Sequence, residues 1–99
     1  MTFSMRHHRD EDRAVLRVGG EVDLHVADAL VGEAVALDAD RLVIDLADVT
    51  FIDSTGLHAL LRIHRHLAGA LLLRNVTPVT ARVLELAGLA DVFAIDDGV

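Results

Sequence analysis

The chain has 99 residues and a formal net charge of −7. That is enough for one domain, residues 1–99, and too little for two, and the acidic balance argues against nucleic acid, whose phosphates need a clustered basic surface. With no cysteine there is no disulfide framework and no thiolate metal site, and with 3% aromatic residues the core must be built from Val, Leu, Ile and Ala.

Phe3 to Arg9 alternates apolar and polar residues and is predicted as a strand. Asp10-Glu11-Asp12 is a polar turn, and Ala14 to Val18 is a second strand, so the two form an N-terminal hairpin. Gly19-Gly20 is expected to break that strand. Ala27, Leu30, Val31, Ala34 and Leu37 recur at helical spacing and mark one apolar stripe, ended by Asp38-Ala39-Asp40. Arg41 to Leu46 holds Leu42, Val43 and Ile44 in succession, as a strand covered on both faces does. A loop over Ala47 to Ile52 is expected next. Leu57, Leu60, Leu61, His64 and Leu67 mark a second helix, closed by Ala68-Gly69. Ala70 to Arg74 is an apolar run that suits a central strand. Thr77-Pro78 is a helix-start pair, a capping hydroxyl followed by Pro at the first helical position. Val79, Val83, Leu86 and Ala87 are read as the stripe of this third helix, with Gly88 as its C-terminal cap. Val92 to Ile95 is a last strand, and Asp96 to Val99 a tail.

Strands alternating with helices imply right-handed crossovers and a largely parallel sheet. The fold class is therefore α/β, with a mixed, mostly parallel sheet, helices packed on it and an N-terminal β-hairpin. Met1 to Asp10 lacks a secretory pattern. The longest apolar stretch, Leu67 to Leu73, is far short of the roughly 20 residues that cross a bilayer. A cytoplasmic location, without membrane insertion, is the expectation.

The segment from Leu42 to Leu57 carries the most chemistry. It runs a buried strand through Asp53-Ser54-Thr55-Gly56 into a helix start. Asp53 or Ser54 can cap that helix by accepting from free backbone N–H groups. Gly56 lets a backbone or a ligand come close. The helix dipole favours a negative group at this end, so a phosphate on Ser54 would be accommodated without unfolding the domain.

This segment resembles the signature of STAS domains, above all of the bacterial anti-sigma factor antagonists, in which a strand leads into an Asp-Ser-(Ser/Thr)-Gly-Leu helix start. Gly20-Glu21-Val22-Asp23 is a second match, to the family's Gly-Glu-(Leu/Val/Ile)-Asp after the second strand. The resemblance covers about Ala14 to Phe93. It implies that Ser54 is phosphorylated by a partner that is both anti-sigma factor and serine kinase. It implies that the unmodified chain binds that partner and releases the sigma factor, and that a phosphatase resets the switch. Asp23 matches the family's acidic residue near the serine, and Asp53, Thr55 and Gly56 match the docking loop. Asp23, Asp53 and Glu21 are expected around Ser54 as one acidic face. No cofactor is implied, and a free monomer is expected.

His58 stands where many antagonists have Gly. Four residues past Ser54 it falls on the same helix face, where it could contact a phosphoryl group, alter partner choice or simply be exposed. The chain also ends soon after the last predicted strand, where many members continue into a further helix.

Each functional reading has a plainer rival. Ser54 can be only a helix cap, and Asp23 only the cap of the first helix. Catalysis by Ser54 lacks support, because a nucleophile needs an oriented base and no Gly-x-Ser-x-Gly elbow is present. His7-His8 point to opposite faces of a strand, and His64 and His66 are two apart on a helix, so neither pair chelates a metal. His64 falls on the apolar stripe and is expected as a hydrogen-bonded core histidine. Arg62, Arg65, His64 and His66 form a small basic patch, read as a solvated helix face. Nothing resembles a nucleotide-binding turn, and the resemblance implies a kinase substrate and not a kinase. The alternative function is a constitutive STAS subunit of a phospholipid-transport ABC assembly, or a signalling scaffold, in which the serine need not be modified.

Overall fold

A computed structural model describes residues 3–96. The elements run β1 (Ser4–Asp10), β2 (Arg13–Val22), α1 (Ala27–Ala36), β3 (Arg41–Ile52), α2 (Ser54–His66), β4 (Leu71–Arg74), α3 (Pro78–Leu86) and β5 (Ala94–Asp96). They build one five-stranded sheet in the order β1-β2-β3-β4-β5. β1 pairs antiparallel with β2, and every later pair is parallel. The hairpin and the parallel crossovers are those expected from the sequence, and the tail beyond Asp96 lies outside the described residues.

One apolar cluster holds the layers together. Ala14, Leu16 and Val18 of β2, Leu42, Ile44 and Leu46 of β3, and Leu71 and Leu73 of β4 supply its sheet side. Leu30 and Ala34 of α1, Leu57, Leu60 and Ile63 of α2, and Leu84 of α3 supply its helix side. Side chains alternate across a strand, so Val15 and Val43, cross-strand partners outside this cluster, lie on the other face. Both are nonetheless buried, as the unbroken apolar run of β3 requires.

Four expectations from the sequence are corrected. Gly19-Gly20 does not break β2, which continues to Val22. Its register against β3 shifts between Arg17 and Gly19 and again between Gly20 and Glu21, and Gly20 has φ +85°. Glycine here bulges the strand and does not stop it. Gly19 is also a close approach, since a Cβ there would lie 2.8 Å from Ser4 Oγ and 3.1 Å from Asp48 Cβ. Second, the expected loop over Ala47 to Ile52 is strand, because the bulged β2 keeps β3 paired as far as Val22↔Ile52. The middle of the sheet is accordingly β3, with β4 one place outward between β3 and β5.

Third, the buried side chains of α3 are Thr80 and Leu84, while Val79 and Leu86 are exposed. Of the stripe expected of α3, Val83 alone packs against the core. The last turn of α3 closes early: Gly88, at φ +74°, donates to Glu85 and Leu89 donates to Leu84. This Schellman turn folds Leu89 back onto the core in place of Leu86. Fourth, the last strand starts at Ala94, two residues later than expected, leaving Val92 in the preceding turn.

Candidate functional site: the start of α2

The extended β2 and β3 end side by side, and Asp53 N–H donates to Val22 C=O at 3.3 Å. This bond holds the start of α2 against the end of β2. Asp53 is the N-cap, settling the choice between it and Ser54. Its Oδ1 accepts the Gly56 N–H at 3.0 Å and the Thr55 hydroxyl at 2.6 Å. The Thr55 bond holds the Asp53 carboxyl below its ordinary value; burial opposes this, and the Gly56 N–H adds to the lowering. The carboxylate is thus committed to the helix.

Gly56 is buried. A Cβ there would lie 2.5 Å from Val22 O and 2.7 Å from Ile52 Cγ1. What comes close to Gly56 is the chain's own backbone, so its part in the site is to let α2 seat against β2. The docking surface expected of Gly56 itself is covered.

Two hydroxyls sit at this helix start, and only one is uncommitted. Thr55 is half-buried and donates to Asp53. Ser54 is the first helical residue, is exposed, and its hydroxyl has no hydrogen-bond partner among the described residues. Ser54 lines a cleft of about 420 Å³ together with Leu24, Ala27, Asp28, Thr55, His58 and Arg62. Ser54, His58 and Arg62 are successive turns of one face of α2, as their spacing predicts for the first two. Arg62 Nη1 reaches Asp28 Oδ1 of α1 at 2.8 Å. The basic patch is therefore not all solvated helix face, because Arg62 bridges two helices.

Of the three acids expected around Ser54, Asp53 is committed to the cap, and Glu21 and Asp23 flank Val22, whose C=O receives the Asp53 N–H. Glu21 and Asp23 do not line the cleft. Glu21 lies on β2 opposite Phe51. Asp23 builds the turn into α1: its Oδ1 accepts from His25 N–H at 3.0 Å, and its carbonyl accepts from Val26 and Ala27. The N-cap position of α1 is Val26, which has no side-chain cap bond, so Asp23 is a turn residue and not the cap. The acid that does share the cleft is Asp28, which sequence reasoning missed along with Leu24. No periodicity could reveal them, because they meet Ser54 only through the packing of α1 against α2. Arg62 was legible, eight residues after Ser54 on the same face.

The other histidines also find their places. His7 Nδ1 lies 3.4 Å from Glu33 Oε2. His64 is partly buried, but Nδ1 has no hydrogen-bond partner among the described residues, contrary to expectation; its ring meets Phe93 edge-on, centroids 5.4 Å apart. Among the described residues no group of three potential ligands is placed to hold a metal, and no helix is long and apolar enough to cross a membrane.

The STAS domain model matches residues 4–99. The chain is 39% identical over 87 residues to the anti-sigma-F factor antagonist RsfB of Mycobacterium tuberculosis, covering 83% of this chain and 71% of that one. The crystal structure of an anti-sigma factor antagonist from Mycobacterium paratuberculosis superposes with a TM-score of 0.83 at 30% identity, covering 95% of this chain and 85% of that one. SpoIIAA shares the fold in its unphosphorylated form (TM-score 0.76, 20% identity, 98% and 90% covered) and its phosphorylated form (0.70, 22%, 98% and 93%). With the family model spanning nearly all of the sheet and helices described above, this chain belongs to the STAS domain family.

Proposed function

We propose that this chain is an anti-sigma factor antagonist whose docking end is the start of α2 and whose switch is phosphorylation of Ser54. The observation that carries this reading is the exposed, uncommitted Ser54 hydroxyl, set beside a Thr55 hydroxyl that is already taken. A kinase can reach the first without breaking any bond of the fold. Two apolar side chains give a partner something to bury. Leu24 is 69% exposed in the same cleft, and Phe51, three residues before Ser54, is 45% exposed.

In the unmodified state the partner surface packs over Ser54 as a small neutral group. Phosphate adds about −1.5 to −2 charge and bulk at the middle of that contact. It stands next to Asp53 and above Asp28, so it brings like-charge repulsion and a desolvation cost to any surface that fitted the hydroxyl. Loss of two or three factors of ten, about 3–4 kcal/mol, is enough to release the partner without a conformational change. On this reading residues 1–99 act as one cytoplasmic binding domain, monomeric when free. The chain is the substrate of an anti-sigma factor with serine kinase activity, and a phosphatase restores it. Asp23 and Glu21 act through the turn that carries Leu24.

The test is binding to purified candidate anti-sigma factor kinases, with and without ATP and Mg²⁺. Wild type and Ser54→Ala should bind tightly without nucleotide, and ATP should weaken wild type only. Ser54→Asp should bind about 100- to 1,000-fold more weakly. Equal binding by all three chains would reject the switch.

A further inference from the structure

The cleft beside Ser54 holds two nitrogen-bearing side chains that differ in commitment. Arg62 is engaged by Asp28 across the α1–α2 contact. His58 is exposed and has no hydrogen-bond or ion-pair partner among the described residues. It lies one helical turn below Ser54, about 6 Å along the axis, whereas Arg62 lies two turns away, about 12 Å. Side chains four apart on a helix are neighbours, and both residues line the same cleft. The cleft is walled by Leu24 and Ala27, so a group turned into it exchanges part of its water for apolar neighbours.

We propose that His58 is the receptor for the phosphoryl group on Ser54, folding it down along α2 into this cleft. The inference rests on Ser54 being the modified residue and adds what becomes of the phosphate once it is there. A ring N–H of His58 donates to a phosphoryl oxygen, a charge-assisted bond of the strong class. The charged residues that line the cleft with it are Asp28 from α1 and Arg62 from α2, and the capping carboxylate of Asp53 stands next to Ser54 in the chain. Arg62 gives one N–H, from Nη1, to Asp28 and stands two turns from Ser54, so the imidazole is the nearer side-chain donor with no partner of its own. Seated this way, the phosphate lies over Leu24 and covers the apolar contact that the partner would use. It is also sheltered from the phosphatase, so His58 prolongs the phosphorylated state. His58 is a positioning residue for the modification, with no part in making or breaking the ester.

The experiment bypasses the kinase by installing phosphoserine at position 54 during synthesis, in wild type, His58→Ala and Arg62→Gln chains. The ³¹P resonance is followed against pH, and hydrolysis by a non-specific phosphatase is timed. In wild type the phosphate should titrate about half a unit lower than in His58→Ala, because a donor beside it favours the more charged form. Hydrolysis should be several-fold faster in His58→Ala. Identical titrations in wild type and His58→Ala overturn the proposal. So does loss of the shift in Arg62→Gln with retention in His58→Ala, which would assign the phosphate to the guanidinium. Failure of every kinase to modify Ser54 would sink the switch but leave this measurement intact, and the converse holds equally.

Discussion

The chain starts two helices with a similar local device and leaves a hydroxyl exposed at only one of them. At α2, Asp53 caps the Gly56 N–H; at α3, Thr77 caps the Thr80 N–H at 3.3 Å and Pro78 occupies the first turn. Both helix starts carry a second hydroxyl. That of Thr80 is fully buried and lies 3.2 Å from Thr77 Oγ1, beyond the reach of any kinase. That of Ser54 is exposed and unheld. Capping chemistry alone therefore does not make a modification site. What separates the two ends is whether a further hydroxyl of the first turn, Thr80 or Ser54, turns into the core or out into a cleft.

The sharpest way to break this comparison is at the glycine that seats α2. Gly56→Ala forces a Cβ to within 2.5 Å of a backbone oxygen, which cannot move aside cheaply. It should destabilise the domain by about 3 kcal/mol, read from the urea midpoint. Gly32 in α1 has nothing within 4 Å of its would-be Cβ. Gly32→Ala should stabilise by about 0.5–1 kcal/mol through helix propensity. Equal effects of the two substitutions would mean that α2 is not pressed against Val22.

Two exposed leucines come next. Leu24 and Leu86 are 69% and 73% exposed. Truncating either to Ala should leave stability within about 0.5 kcal/mol. Only Leu24→Ala should weaken partner binding, by about tenfold. An equal loss from Leu86→Ala would move the docking surface to α3.

The smallest effect separates the caps by pH. At pH 7, Asp53→Ala and Thr77→Ala should each cost about 1 kcal/mol. The folded-state pKa of Asp53 is lowered from its ordinary 3.8, chiefly by the Thr55 hydroxyl. Its stabilising contribution is therefore whole above the ordinary value and fades as pH falls through the depressed one. Urea unfolding near pH 7 and again below pH 3 should show the Asp53→Ala deficit shrinking in acid while the Thr77→Ala deficit persists. Parallel shrinkage would show that the two caps are not electrostatically distinct.

Much was legible before any coordinates. The period-two run of β1, the apolar triplet Leu42-Val43-Ile44 and the stripe of α1 are patterns that a strand or helix imposes on its own residues. The cap at Thr77, the turn at Gly88 and a cap at either Asp53 or Ser54 are equally local, because each satisfies backbone groups within a few residues of itself. The candidacy of Ser54 followed from this helix start together with the resemblance to the STAS family. Other features were set by neighbours far along the chain. Gly19-Gly20 became a bulge because β1 and β3 press on β2 from both sides, and β3 ran on to Ile52 because β2 remained there to pair with it. The phase of α3 was decided by which side of it met the core. Asp28 and Leu24 joined Ser54 only when α1 packed on α2. The sequence by itself thus determined most of the elements and their order, since hydrogen bonding and periodicity act over a few residues. Tertiary structure alone decided which hydroxyl is free and what surrounds it, since burial and side-chain partnership arise only where distant segments meet.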